Sequence, residues 1–126
     1  MRRENNFDRR SNARFDVTLP LKIAGADFHM ATDTKNISCT GLYCHVTRFL
    51  PVMTKLSISL FVPLIVKERK VEKQINCAAV VVRTEPDREV QSTDIYYIGM
   101  FFTDIKEKDR ETISKYIQQA FFAGKN

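Results

Sequence analysis

An all-β domain with a C-terminal helix, a six-stranded antiparallel β-barrel, follows from three features of the sequence. Segments that alternate apolar and polar residues recur between Asp16 and Thr103, and a period of two marks strands with one buried face. Turn-forming clusters separate them at short spacing. Beyond Thr103 the apolar period switches to that of a helix. Six short strands and one helix favour a small closed barrel over an open sheet.

The strands follow in order. Asp16 to Ala24 sets Val17, Leu19, Leu21 and Ile23 against Thr18, Pro20 and Lys22; Pro20 marks an edge or a bulge. Gly25-Ala26-Asp27 turns the chain into a second strand, Phe28 to Ser38. Gly41 to Val46 is the third, with Leu42, Cys44 and Val46 inward, joined to the second through a Cys39-Thr40 turn. Lys55 to Val62 is the fourth, with Leu56, Ile58, Leu60 and Val62 inward, and Pro63 is expected to interrupt it. Lys67 to Lys73 reads as a charged, solvated loop. Ile75 to Thr84 and Thr93 to Thr103 are the last two strands, separated by a turn over 85–89; Gly99 implies a bend or close packing. Ile113, Tyr116, Ile117, Ala120 and Phe121 then recur at helical spacing. This predicts a helix over 107–122 with acids in its first turn and Gly124 as its stop.

The 126 residues fit one domain, divided into a flexible basic arm over 1–14 and a barrel-plus-helix over 15–126. Net charge is +5 and unevenly spread: the first 14 residues carry five arginines against Glu4 and Asp8, and the remainder carries 15 basic and 13 acidic side chains. A basic arm on a nearly balanced domain suits an anionic partner. No apolar run approaches a membrane span, and no apolar segment follows the N-terminal arginines as in a signal peptide. Cys39, Cys44 and Cys77 form no C-x-x-C pair, so the expected state is reduced thiols in a cytoplasmic protein.

Two motifs carry the functional reading. Asn36-Ile37-Ser38-Cys39-Thr40-Gly41 is N-x-S-x-x-G. If Ile37 points into the core, alternation places Asn36 and Ser38 together outside, a small polar shelf. Gly41 permits a positive φ or close approach of a ligand to the backbone. Upstream, Arg10 and Arg14 form R-x-x-x-R with Arg9 just ahead. Arginine's planar fork addresses O6 and N7 of guanine and also stacks on the base.

The two motifs, in this order and separation, resemble those of the PilZ domain, the bacterial receptor for cyclic di-GMP. The resemblance covers about residues 7 to 120. It implies a PilZ-like six-stranded barrel and no tightly held cofactor. Arg10 and Arg14 would bind the ligand, with Arg9 favouring two stacked ligand molecules. Asn36 and Ser38 would hydrogen-bond a guanine or orient an arginine, and Gly41 would let the loop come close. The family often has a second glycine just before the motif glycine, where this chain has Thr40. A ligand-ordered arm would then be read by a downstream protein partner that the sequence does not name.

Four glycines make no phosphate-cradling loop, His29 and His45 lie in no zinc-ligand pattern, and no nucleophile motif occurs. A binding module is expected rather than an enzyme. Two other readings stand beside it. A barrel that binds single-stranded nucleic acid requires a basic groove, which the balanced charge of residues 15–126 disfavours. A degenerate PilZ-like docking module is disfavoured by the intact motifs. Arg83 could reach the ligand, but solvent or an ion pair with Glu85 or Asp87 is the expected place for it; Tyr43 and Tyr96 could stack on a base, but are expected to pack within the barrel.

Overall fold

The computed structural model describes residues 13–123. The strands are β1 (Phe15–Asp16), β2 (Pro20–Ala24), β3 (His29–Ile37), β4 (Gly41–Val46), β5 (Lys55–Val66), β6 (Arg69–Glu85) and β7 (Tyr96–Asp104), followed by helix α1 (Glu107–Ala123). Neighbours run β3-β2-β5-β6-β7-β4, and β4 pairs back onto β3. Every pairing is antiparallel. The six-stranded barrel is therefore closed, as expected, with β1 as an extra short strand beside β3. Closure leaves no sheet edge running the length of the fold.

The alternating residues fill the interior. Leu19, Leu21 and Ile23, then Leu42, Cys44 and Val46, then Leu56, Ile58, Leu60 and Val62 are all buried, and β6 and β7 add Ile75, Ala79, Val81, Ile98 and Met100. Each large aliphatic side chain removed from water contributes about 1.5–3 kcal/mol, which fixes the face each strand presents outward.

Three strand expectations are corrected. The first strand is broken at residues 17–19. Thr34, buried in the gap, donates its hydroxyl to the Val17 carbonyl (2.6 Å) and accepts from the Leu19 amide (2.9 Å). Pro20 opens β2 at this break. Second, Pro63 does not interrupt β5, which runs on to Val66 with Pro63 opposite Glu72. β2 covers β5 only at residues 57–60. The Pro63 nitrogen, having the parity of Ile65, points to the uncovered side, so its missing N–H leaves no strand bond unmade. Third, the charged segment after Val66 is not a loop. Lys67 and Glu68 alone form the turn, both at positive φ (52° and 66°), the left-handed geometry that suits a two-residue hairpin. Arg69 to Lys73 already lie in β6.

Helix α1 begins where its acids predict, with Glu107 and Asp109 in the first turn; Gly124 lies outside the described residues. Ile113 is fully buried and Tyr116 is 9 % exposed, with Ile117 and Ala120 packed beside them. Phe121, expected in the same stripe, is 41 % exposed instead and meets Phe122 edge-on at 5.6 Å. The Gln119 side chain fastens the helix to the uncovered side of β5. Its Nε2 donates to the Ile65 carbonyl (2.9 Å) and its Oε1 accepts from the Ile65 amide (3.0 Å).

Candidate functional site

β1 and the β3–β4 hairpin bring the last residue of the first motif, Arg14, to the second. Phe15 pairs with Ile37 and Asp16 with Asn36, so the end of the arm is held against the N-x-S-x-x-G segment. Arg14 Nη1 donates to Asn36 Oδ1 at 2.9 Å. The acceptor is a neutral amide, so this bond orients the guanidinium without neutralising it, and leaves its other N–H donors unused by that contact. Arg9 and Arg10, with the rest of the arm through residue 12, lie outside the described residues.

Ile37 is fully buried, as expected. A β-bulge between Thr34 and Asn36 sets Lys35 and Asn36 against the single residue Tyr43, so both stand on the outer face. Ser38 departs from the expected shelf. β3 ends at Ile37, so alternation no longer governs the next residue. Ser38 is 6 % exposed, and its hydroxyl accepts from the Thr40 amide (3.2 Å) and shares a 3.1 Å bond with the Thr40 hydroxyl. Its own amide donates to the Gly41 carbonyl (2.9 Å). Ser38 shapes the turn from within, so of the expected Asn36–Ser38 pair Asn36 is the one that faces outward.

Gly41 is also explained differently. Its φ is not positive, and the space beside its Cα is filled by the chain itself. A Cβ there would lie 2.0 Å from the Met100 carbonyl oxygen. The close approach that demands glycine is that of β7. Cys39, between these residues, is buried toward α1. Burial pushes its thiol pKa up, more strongly than a hydrogen bond from Ser114 and the Arg110 charge pull it down. The motif turn thus rests on the helix.

Beyond Asn36 the register runs across the outer face through Tyr43, Gly99 and Arg83. Tyr43 is not a core residue but an outward one, stacked with Tyr97 at 6.0 Å and 12° between planes. Lys35 Nζ sits 5.2 Å from the Tyr97 ring centre. Arg83 forms the expected ion pair with Glu85 at 2.7 Å. The other Glu85 oxygen accepts from the Tyr43 hydroxyl at 2.8 Å. These hydrogen bonds from Arg83 and Tyr43 hold the Glu85 carboxyl below its ordinary pKa. The outward position of Tyr43 was available from the inward run Leu42, Cys44, Val46; its type alone pointed to the core. Tyr96 does pack, 3 % exposed, exchanging hydrogen bonds with the Val90 backbone.

Among the described residues no group of three or more His, Cys, Asp or Glu could hold a metal ion, and no helix is long and apolar enough to cross a membrane. What the face offers is arginine, amide and aromatic groups, which suit a planar anionic ligand.

The PilZ domain family model matches residues 8–119. No curated protein matches the chain. Among solved structures, the Bacillus subtilis inhibitor of motility (MotI/DgrA) superposes with a TM-score of 0.71 at 17 % identity, over 90 % of this chain and 51 % of that one. The chain thus spans about half the length of that relative. The PilZ domain of CeSA from a cellulose-synthesizing bacterium superposes with a TM-score of 0.55 at 12 % identity, over 87 % of this chain and 99 % of that one. At these identities the likeness is one of fold.

Proposed function

This chain belongs to the PilZ domain family, and on that footing we propose that it is a receptor for cyclic di-GMP, whose binding orders the N-terminal arm for a downstream protein partner. The observation that carries the reading is the 2.9 Å bond from Arg14 to Asn36. It joins the last arginine of R-x-x-x-R to the first residue of N-x-S-x-x-G, two motifs of a receptor family for this ligand. The bond holds the guanidinium beside Asn36 without placing a carboxylate on it.

Each residue then has a distinct task. Arg9, Arg10 and Arg14 meet the phosphodiester charges and the guanine O6 and N7 edges. Asn36 orients Arg14 and offers its amide to a base. Ser38 and Gly41 act one step removed, by fixing the turn that presents Asn36. Charge-assisted hydrogen bonds of about 1.5–3 kcal/mol each offset the entropy of ordering the arm.

Isothermal calorimetry against cyclic di-GMP, GTP and a short oligonucleotide tests the reading. Saturable heat with cyclic di-GMP alone is expected. Absence of heat at tens of micromolar ligand, a threshold of about −6 kcal/mol, would refute it. Hydrogen exchange adds the switch: amides of residues 9–14 should slow when ligand is present, and equal rates in both states would remove the ordering step.

A further inference from the structure

Resting on the cyclic di-GMP reading, we infer that the nucleotide site extends past Asn36 to a floor at Gly99, and that Glu85 is a latch holding Tyr43 and Arg83 closed over it. Gly99 stands between these two residues in register. The fold does not require a glycine there. Its φ is not positive, and an added Cβ would meet Arg83 Cβ at 3.6 Å and Tyr43 Cδ1 at 3.7 Å, ordinary van der Waals contacts. This contrasts with Gly41, where β7 leaves no room. A glycine without a structural need, flanked by an aromatic ring and a guanidinium, makes a flat spot between two groups that stack on purines. Phe101, two residues on along the same outer face of β7, is 50 % exposed and continues the apolar surface.

In this structure the floor is covered: Gly99 is buried. Glu85 uses both carboxylate oxygens to draw the covering groups together. One accepts from Arg83 Nε (3.1 Å) and Nη2 (2.7 Å), and the other accepts from the Tyr43 hydroxyl (2.8 Å). The Arg83 guanidinium consequently lies 5.9 Å from the Tyr43 ring centre. Its charge is neutralised by Glu85, whereas Arg14 is bonded to an amide and has no ion pair among the described residues. An arriving phosphodiester and guanine compete with Glu85 for Arg83, and once Arg83 is exchanged the unpaired carboxylate repels the phosphates. Glu85 therefore works against binding, while Arg83 and the floor work for it.

The test is calorimetric titration of cyclic di-GMP into the whole chain as wild type, Glu85→Gln and Gly99→Ala, each with a thermal melt. Glu85→Gln should tighten binding at least fivefold, because it removes the competing charge at constant shape. Gly99→Ala should weaken binding at least fivefold while melting no lower than wild type, because a methyl occupies the floor without crowding its neighbours. Unchanged affinity in either variant, or weaker binding by Glu85→Gln, overturns the inference and leaves the receptor reading intact. Wild-type protein that fails to bind cyclic di-GMP overturns both.

Discussion

Two glycines one strand apart show how differently the same residue type is used. Gly41→Ala would force a methyl against the Met100 carbonyl. Both partners are backbone in a closed barrel, so neither yields easily, and overpacking of this kind costs about 1–3 kcal/mol. Urea unfolding of Gly41→Ala should give a loss at the upper end of that range; a variant as stable as wild type would show that β7 shifts freely. The residues of the arm's end and of the N-x-S-x-x-G segment divide in the same way. Ile37→Ala should cost about 2–5 kcal/mol, as for a fully buried aliphatic side chain. Ser38→Ala should cost about 1 kcal/mol by freeing the Thr40 amide. A binding change in Ser38→Ala should appear with, not without, a lower melting temperature. Arg14→Ala should instead weaken ligand binding by about 1.5–3 kcal/mol and leave the melt in place, since its one described bond is exposed. The inward side chain of Ile37 and the outward one of Asn36 were legible from alternation alone. The burial of Ser38 was not, because the strand stops one residue earlier, and the need for glycine at 41 was not, because its cause is the distant backbone of Met100.

At the scale of elements, the long β5–β6 hairpin and its attachment to α1 were the hardest features to read. Charged residues at 67–73 look like a loop, and Lys67-Glu68 lacks the glycine or asparagine that usually marks a left-handed two-residue turn. Pro63 looks like a strand end, yet its nitrogen faces the side of β5 that no strand covers. By contrast β2, β4 and the inner half of β5 were legible because each buries one face and alternates cleanly. The helix was legible from its period, but not the role of Gln119, a polar residue beside an apolar stripe. Gln119 stands in for a strand neighbour at Ile65. Gln119→Leu keeps the volume near constant and removes both hydrogen bonds, each worth about 0.5–1.5 kcal/mol. The expected result is faster amide exchange at Ile65 and a lower melting temperature, with cyclic di-GMP affinity unchanged because the contact lies away from the Arg14–Asn36 face. Unaltered exchange at Ile65 would show that the amide was protected by something other than this side chain.

At the scale of the whole molecule, a closed barrel excludes water from its interior, and the cysteine thiols record that exclusion. Cys44 is fully buried in β4, and burial pushes its pKa from 9.0 up to about 12. Cys77, half-buried in β6, is pushed up to about 11 by burial and then by Asp109 and Asp104. Ionisation is therefore opposed in the folded chain and unopposed in the unfolded one. Below pH 9 both states keep their thiol protons, and the thiols contribute no pH dependence. Between pH 9 and about 12 the unfolded chain releases protons that the folded chain retains, so it binds fewer protons and stability falls as pH rises. Cys44→Val keeps the shape of the side chain and removes the titrating group. Urea midpoints measured at pH 8 and about pH 10.5, chosen to bracket the shift, should fall more steeply for wild type than for Cys44→Val. A thiol reagent at pH 8 should leave Cys44 unmodified in the folded protein and modify it once urea has opened the barrel. Equal pH slopes for the two proteins, with rapid modification of Cys44 in the folded state, would mean that the barrel opens far more readily than its closed strand order allows.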